Sequence, residues 1–446
     1  MKALIIAAGN GTRMQPVTRG RHKSLMSLLG LKIIERVILG AREAGILEFV
    51  IVTGYKGKTL QKTVGDGSRY GVSISYMQNN NWEKANGISA LCASQYFKDN
   101  FVLLMSDHVF NPATLTKIQR LKLKGRECVL AIDRKLDGVL DVSDTTKVLT
   151  KNGRVEKISK GLEKYNAYDT GMFICSPYIF KVLERTIGIG KNSLTNAMSV
   201  LAGEGKLRIF NIKNRFWADC DTWADIKFAE RKLLASLVKP KDGIVSKNFN
   251  RKISTLITKL LVKTPLTPNT VSFSLPIFAI FTFFLLIQGT YPWIFLGGVM
   301  IQLLSIVDGC DGEIARLKFV KSKWGAWLDP ILDRYIDTVF IAGMSYGYWH
   351  VTGNGIILPI AVFVMLAMMM EDYMPNKFLR EVGKKLKFRS FDFKRDLRSV
   401  VLALGAITNL IIPALVIFLI ITQFRVIGRL IAGKRISEET EKICLT

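Results

Sequence analysis

Residues 308–337 read DGCDGEIARLKFVKSKWGAWLDPILDRYID and lie between two long apolar segments. Asp308, Asp311, Asp329, Asp333 and Asp337 therefore sit where a lipid-facing chain should carry little charge. Asp308 and Asp311 are three residues apart near the end of one apolar segment, and Asp329 and Asp333 four apart at the start of the next. Each pair thus shares a helical face. Four carboxylates gathered at a bilayer edge repel one another unless they are paired or solvated. Two divalent metals would supply the missing charge and would also clamp a diphosphate. Gly312, Ala315 and Gly325 are small enough to let a nucleotide lie against helix backbone, and Arg316 offers a phosphate or ribose contact. Two other readings compete. One is an ion or proton relay in a transporter. The other is plain pairing with Arg316, Lys318, Lys321, Lys323 and Arg334, which suits Asp337, one turn beyond the pattern.

The flanking chain sets the surroundings. Apolar spans are predicted over 271–287, 293–314, 324–349 and 356–370, with two shorter ones inside 397–431, against about 20 residues needed per crossing. The connections QGTYP, HVTGNG and TNLIIP carry no Lys or Arg, whereas every basic cluster falls on the other side. Six spans place all those clusters in the cytoplasm, and five would strand Lys434 and Arg435 outside. The sequence thus predicts an all-α six-helix transmembrane domain over 269–435 and a tail over 436–446, in a multi-pass protein of the cell membrane. Much of the formal net charge of +27 follows from that topology. No nucleic-acid-binding module accompanies it, so nucleic acid is excluded as a partner. In the linker, 235–268, Ile253, Leu256, Ile257, Leu260 and Leu261 recur at helical spacing among Lys and Arg. This juxtamembrane helix suits an anionic membrane surface, or else packs on its own domain.

Residues 1–234 read differently. Short apolar runs (ALIIAA, FVIVTG, VSISYM, FVLLMSD, CVLAID, GMFICS, LRIFNI) alternate with helical patterns such as IIERVILGAREAG, predicting an α/β, Rossmann-like domain with a largely parallel sheet. The opening run is too short for a secretory leader and ends in Gly-Asn-Gly, as a strand entering a loop would. Six scattered cysteines without a C-x-x-C pair read as reduced thiols. The loop Ala7–Met14 after the first strand is glycine-rich, which lets backbone N–H groups approach phosphates. It has neither the third glycine of a dinucleotide fingerprint nor the Gly-Lys-Ser/Thr of a P-loop. Arg13 ends it and Lys23 follows, two cations suited to a departing pyrophosphate. Asp107, and Asp219 with Asp221, stand at strand ends, where α/β sheets bind ligands and where carboxylates can hold Mg²⁺.

AAGNGTRMQPVTRGRHKSL, the SD of LLMSDH, NGISAL and Trp217 to Thr222 (WADCDT) together resemble the sugar-phosphate nucleotidylyltransferase family over roughly residues 1–232. That resemblance implies that Ala8, Gly9, Gly11, Thr12, Arg13 and Lys23 hold the nucleoside triphosphate, with Asn86 and Gly87 near its base and ribose. It implies one Mg²⁺ or Mn²⁺ on Asp107 and Asp219, Asp169 and Gly171 at the sugar, and Lys157 or Lys160 at its phosphate. Arg13 and Lys23 would carry the catalysis. The sequence has His22-Lys23-Ser24 where the family usually has Pro-Lys-Pro.

Asp308-x-x-Asp311-Gly312-x-x-Ala315-Arg316-x8-Gly325-x3-Asp329-x3-Asp333 resembles, without departure, the signature of the CDP-alcohol phosphotransferases, and the likeness extends over roughly 242–435. It implies displacement of CMP from a CDP-linked alcohol by a second hydroxyl, with two divalent cations on the four aspartates and Asp333 as general base. Asp308, Asp311, Gly312, Ala315, Arg316 and Gly325 would bind the CDP moiety. Lys394, Arg395 and Arg398 are candidates for a phosphorylated acceptor, or topology signals. The fusion is similar to the bifunctional family that joins inositol-1-phosphate cytidylyltransferase to di-myo-inositol-phosphate phosphate synthase. It implies CTP, inositol 1-phosphate and CDP-inositol as partners beside membrane lipid, compatible-solute synthesis as the purpose, and a homodimer. A phospholipid-headgroup synthase is the enzymatic alternative, and an ion transporter with a nucleotide-sensing domain the non-enzymatic one.

Overall fold

The computed structural model describes residues 1–14, 18, 20–135, 145–239, 242–383 and 395–444. The chain forms two compact units, Met1–Ser236 and Leu237–Thr446. In the first, nine strands make one sheet whose edge-to-edge order is Ser73–Gln78, Glu48–Thr53, Ala3–Ala7, Phe101–Met105, Ala167–Cys175, Cys128–Asp133, Leu207–Asn211, Arg154–Ser159 and Lys147–Lys151. All seven apolar runs become strands of it. The first four strands pair in parallel, while Ala167–Cys175 lies antiparallel to both of its neighbours. The sheet is therefore mixed rather than largely parallel beyond its first half. Residues 147–159 form a hairpin with charged side chains at alternate positions, so no apolar run announces it.

The sheet's fully buried positions, among them Leu4, Phe101, Leu103, Leu130 and Phe173, pack on the helices to make one continuous core. Strand ends carry the polar residues. A two-stranded ribbon sets Trp217–Asp219 antiparallel to His108–Phe110 and places Asp219 opposite His108. That pairing joins two stretches of sequence 111 residues apart.

Among the described residues of the second unit, six helices follow the linker: Pro268–Leu286, Tyr291–Leu317, Lys323–Thr352, Ile357–Val382, Arg395–Ile407 and Ile411–Cys444. Four of them are long and apolar enough to cross a membrane, namely Pro268–Leu286, Tyr291–Leu317, Ile357–Val382 and Ile411–Glu438 within the last. The 323–352 helix is about 45 Å long at 1.5 Å per residue but carries Asp329, Asp333, Arg334 and Asp337 in its first half. The 395–407 helix has 13 residues among those described. Asn409, in the left-handed conformation at φ +58°, separates it from the final helix.

Close helix approach depends on small residues, as expected where lipid gives apolar side chains no reason to associate. A Cβ on Gly347 would lie 2.1 Å from Leu286 O, and one on Gly298 2.9 Å from Ala403 O. Large apolar residues such as Phe273, Ile277, Phe281 and Phe284 face outward.

The linker helix forms over Arg251–Leu261 and is turned inside out relative to a water-soluble one. Its polar Ser254 and Thr258 are buried, whereas Leu256 and Leu260 are 64% and 68% exposed. Ile257 and Leu261 pack partly against Val271, Cys310 and Ile314. The buried face is held by Glu313, fully buried, which accepts from Arg251 Nη1 at 2.6 Å, Ser254 Oγ at 2.7 Å and Thr258 Oγ1 at 2.7 Å. With its polar side satisfied inside, this helix presents leucines outward, an arrangement suited to lipid contact.

Candidate active sites

The first unit has a cavity of about 220 Å³ at the carboxyl ends of the sheet's central strands. Arg13, Lys23, Asn86, Asp107, Lys160, Asp169, Gly171 and Asp219 all line it. Ala8, Gly9, Gly11 and Thr12 do not, and neither do Gly87 and Lys157. Gly11 acts through its neighbour: at φ +59°, its missing Cβ leaves room for the Lys23 side chain, whose Cβ and Cδ would lie 3.0 Å from it. Ala8 O accepts from Tyr55 N at 3.0 Å, and Gly87 N donates to Asn192 O at 3.1 Å. Lys157 is on the exposed face of the hairpin.

Lys23 is an ammonium among acids. Its Nζ meets Asp107 and, at 2.6 Å, Asp221 Oδ1, while Arg13 Nη2 meets Asp221 Oδ2 at 2.5 Å. Burial would discharge Lys23, but the Asp107, Asp221 and Asp219 carboxylates outweigh it and hold its pKa well above the usual lysine range. Burial likewise opposes charge on Asp107, and Lys23 overrides it, lowering the carboxyl to about 2. The departure at His22 also has a structural reason. The buried ring caps the turn that presents Lys23, accepting from Ser24 N at 3.2 Å on Nδ1, and its Nε2 donates to Ala7 O at 3.1 Å. It thereby ties the lysine turn to the end of the first strand. Burial lowers its pKa to about 4, so it serves as a neutral ring.

His108 and Asp221 complete the cluster; Asp221 was legible as a strand-end carboxylate, whereas His108 was not among the predicted ligands. His108 Nδ1 donates to Thr170 O at 2.9 Å, and Nε2 lies 3.4 Å from Asp219 Oδ2 and 3.9 Å from Asp107 Oδ1. Burial would lower this imidazole, but Asp219 and then Asp107 outweigh it and raise it to about 10. Gly171 makes the placement possible: at φ +71°, a Cβ there would lie 2.2 Å from His108 Nδ1. Asp169, raised to about 6 by burial, accepts from Gly171 N at 2.7 Å. Donor atoms of Asp107, His108 and Asp219 lie within 4.8 Å of one another. Asp219 Oδ1 is buried with no hydrogen-bond partner, and carboxylate oxygens are the donors Mg²⁺ takes. The residues fit a divalent cation on Asp107 and Asp219.

In the second unit a cavity of about 450 Å³ is lined by Asp311, Gly312, Ala315, Arg316, Gly325 and Asp329, with Ser272 and Lys239 beside them. Ser272 Oγ donates to Asp311 Oδ2 at 2.5 Å, a contact the signature does not mention. Arg316 Nε and Nη2 are buried without a hydrogen-bond partner, which leaves them for a ligand. Asp308, Asp329 and Asp333 bring carboxylate oxygens within 4.8 Å of one another, and Asp308 Oδ1 is buried and unpartnered. These oxygens, too, fit divalent cations. Asp311 stands outside that trio, on the cavity wall. Asp337 is buried and accepts from Arg334 Nη1 at 3.2 Å, the pairing expected for it.

Of the acceptor candidates, Lys394 lies outside the described residues. Arg395 Nη1 lies 2.5 Å from Asp308 Oδ2 and 2.7 Å from Asp333 Oδ1. Arg398 is buried one turn further on, 3.8 Å from Glu371 Oε2. Arg425 Nη2 and Arg429 Nη2 approach Glu371 Oε1 at 2.7 and 3.5 Å. One carboxylate thus faces three guanidiniums, and two of the three come from a helix the sequence had marked only as apolar.

Residues 2–236 match the nucleotidyl transferase family, and residues 265–431 match the CDP-alcohol phosphatidyltransferase family. One relative aligns across both stretches. The "bifunctional IPC transferase and DIPP synthase" of Aquifex aeolicus is 32% identical over 433 residues, covering 95% of this chain and 96% of its own. The chain belongs to this bifunctional family. Its namesake from Thermococcus kodakarensis is 34% identical, with 95% of each chain covered, and that of Rubrobacter xylanophilus is 31% identical, with 97% and 96% covered. The bifunctional family thus extends over both units of the chain, as the two signatures require.

Proposed function

We propose that the first unit converts CTP and inositol 1-phosphate to CDP-inositol and pyrophosphate. The second then joins CDP-inositol to another inositol 1-phosphate, releasing CMP. What carries this reading is the pairing, on one chain and in relatives of nearly equal length, of a cation-and-acid cavity with an intramembrane aspartate cage. In the first reaction a phosphate oxygen of inositol 1-phosphate attacks the α-phosphorus of CTP, and the bond to the β-phosphate breaks. Arg13 and Lys23 neutralise the departing pyrophosphate. Asn86 orients the nucleotide, while Asp169, Gly171 and Lys160 hold the sugar phosphate. Asp107 and Asp219 would hold one Mg²⁺ or Mn²⁺, which supplies charge neutralisation between the phosphates.

In the second reaction a hydroxyl of the acceptor attacks the inositol-bearing phosphorus of CDP-inositol, and the bond to CMP breaks. Asp333 takes the hydroxyl proton. Asp311, Gly312, Ala315, Arg316 and Gly325 receive the CDP moiety, and Asp308, Asp311, Asp329 and Asp333 would hold two divalent cations. Arg398, with Arg425 and Arg429, receives the acceptor's phosphate, since the three guanidiniums gathered at Glu371 offer charged donors that a phosphate accepts from. The product is a di-inositol phosphodiester carrying a phosphate, a soluble solute. Joining the units raises the local concentration of CDP-inositol beside its consumer. Six membrane crossings, surrounding membrane lipid, both sites facing the cytoplasm and a homodimer belong to the same reading. The absence of Lys and Arg from QGTYP, HVTGNG and TNLIIP supports the orientation.

The test is incubation of the purified protein with CTP, Mg²⁺ and inositol 1-phosphate, following pyrophosphate and CMP separately. Both should appear, with a water-soluble phosphodiester. Pyrophosphate without CMP refutes the coupled scheme, and a product that extracts into organic solvent refutes the soluble acceptor.

A further inference from the structure

The Arg395 guanidinium stands where the carboxylates converge. Its Nη1 lies 2.5 Å from Asp308 Oδ2 and 2.7 Å from Asp333 Oδ1, and its Nε 3.8 Å from Asp337 Oδ1. Asp308 and Asp333 are two of the three acids whose oxygens lie close enough to share a cation. Arg395 Nη1 is buried between these two carboxylates. Asp308 Oδ1 stays without a partner, so the guanidinium does not use up the donors of the cage.

The backbone beneath it is tied down separately. Asp396 Oδ2 accepts from Ser246 N at 2.8 Å, and a Cβ on Gly243 would lie 2.2 Å from that carboxylate. The first turn of the 395–407 helix is thereby fixed to the π-helical turn Ser246–Asn250, and the Arg395 side chain can leave without its helix moving. Beside it, a cavity of about 80 Å³ lined by Asn250, Ser305, Asp308 and Arg395 gives the side chain room.

We infer that Arg395 is a resident counter-ion of the aspartate cage, occupying one divalent cation's place until metal binds, so that metal loading and release of Arg395 are a single exchange. This rests on the two-metal reading of the second unit. The physical ground is charge balance: carboxylates gathered at membrane depth need a cation at all times, and a guanidinium and a second cation cannot both occupy one position. The exchange would keep the cage folded before metal arrives, at the cost of weaker apparent metal affinity.

The test is Mn²⁺ binding, followed by electron paramagnetic resonance on the full-length protein in nanodiscs without substrate. A D107N/D219N parent silences the first unit's cluster. R395M should bind Mn²⁺ at least about tenfold more tightly than that parent, since a competing unit charge at contact distance is gone. Unchanged or weaker binding overturns the inference. D308N separates the two levels of the reading: if neither the parent nor R395M binds Mn²⁺ in a way that D308N abolishes, the two-metal reading itself fails. Should R395M not fold, side-chain labelling of the parent decides. Mn²⁺ should make the Arg395 guanidinium more reactive toward phenylglyoxal, read by peptide mass spectrometry, and protection of it overturns the exchange.

Discussion

Substituting Gly171 by alanine should disable the first reaction and spare the second. The new Cβ would lie 2.2 Å from His108 Nδ1, 2.7 Å from Cε1 and 2.9 Å from Cγ, so the ring must retreat by about 1 Å to reach ordinary contact. Three costs follow. A side chain at φ +71° costs about 1–2 kcal/mol. Overpacking a filled site costs about 1–3 kcal/mol. Loss of the 2.9 Å bond to Thr170 O costs about 1 kcal/mol more. The total, about 3–6 kcal/mol, is a large share of a domain's usual 5–15 kcal/mol, so G171A should fold with a lowered melting temperature. The retreating ring also leaves Asp219, 3.4 Å away, and the acid cluster opens. Pyrophosphate release from CTP and inositol 1-phosphate should fall at least about tenfold, whereas CMP release from supplied CDP-inositol should not change. The cycle with H108A isolates the cause: removing the ring makes room for the Cβ, so the double variant should be more stable than the two single effects sum to. Additive losses, or a first reaction unaffected by G171A, would refute the role given to this glycine.

E313Q takes one of two carboxylate charges from Arg251, which keeps Asp242 Oδ2 at 3.1 Å, and should cost about 1–3 kcal/mol, seen as a lower melting temperature of the second unit. Pyrophosphate release should be unaffected. Asp219→Asn should abolish pyrophosphate release while leaving CMP release from supplied CDP-inositol, and Asp333→Asn should do the reverse, each by about 10²-fold or more. Chelation should stop both reactions and added Mg²⁺ restore them. His22 has a folded pKa lowered to about 4 from an unfolded 6.5. Its contribution is complete above pH 6.5 and is lost as pH falls toward 4, at most about 3 kcal/mol. H22N keeps an acceptor for Ser24 N and does not titrate, so its stability should fall less steeply over that window; equal slopes count against the buried neutral ring.

How much of this was legible depended on whether the relevant contacts were local. Asp308, Asp311, Asp329 and Asp333 are set by helical spacing, which sequence displays directly. Asp107 and Asp219 could be read because both end apolar strands. His108 follows Asp107 in the chain but owes its position to a ribbon that pairs it with Asp219 and to a bare Cα at Gly171, neither of which any local pattern records. The 147–159 hairpin escaped for a simpler reason: its charged face interrupts the apolar runs that mark the other strands.

The buried glutamates mark the sharper limit. Glu313 falls between Gly312 and Ala315 of the aspartate signature yet faces away from its chemistry, holding the 251–261 helix by three side-chain bonds. That helix has an apolar stripe of ordinary amphipathic spacing, and the usual inference buries the stripe. Here the solvent for one side is lipid, so the polar side is the one that must find partners inside the protein. Glu371 repeats the principle with the balance reversed. Glu371 and Asp372 end the apolar run 361–370, and Glu371 meets three cations, Arg398, Arg425 and Arg429. Asp372 beside it pairs with Arg334, so the cluster draws its charges from four helices and becomes visible only once the last two are folded against the 357–382 helix.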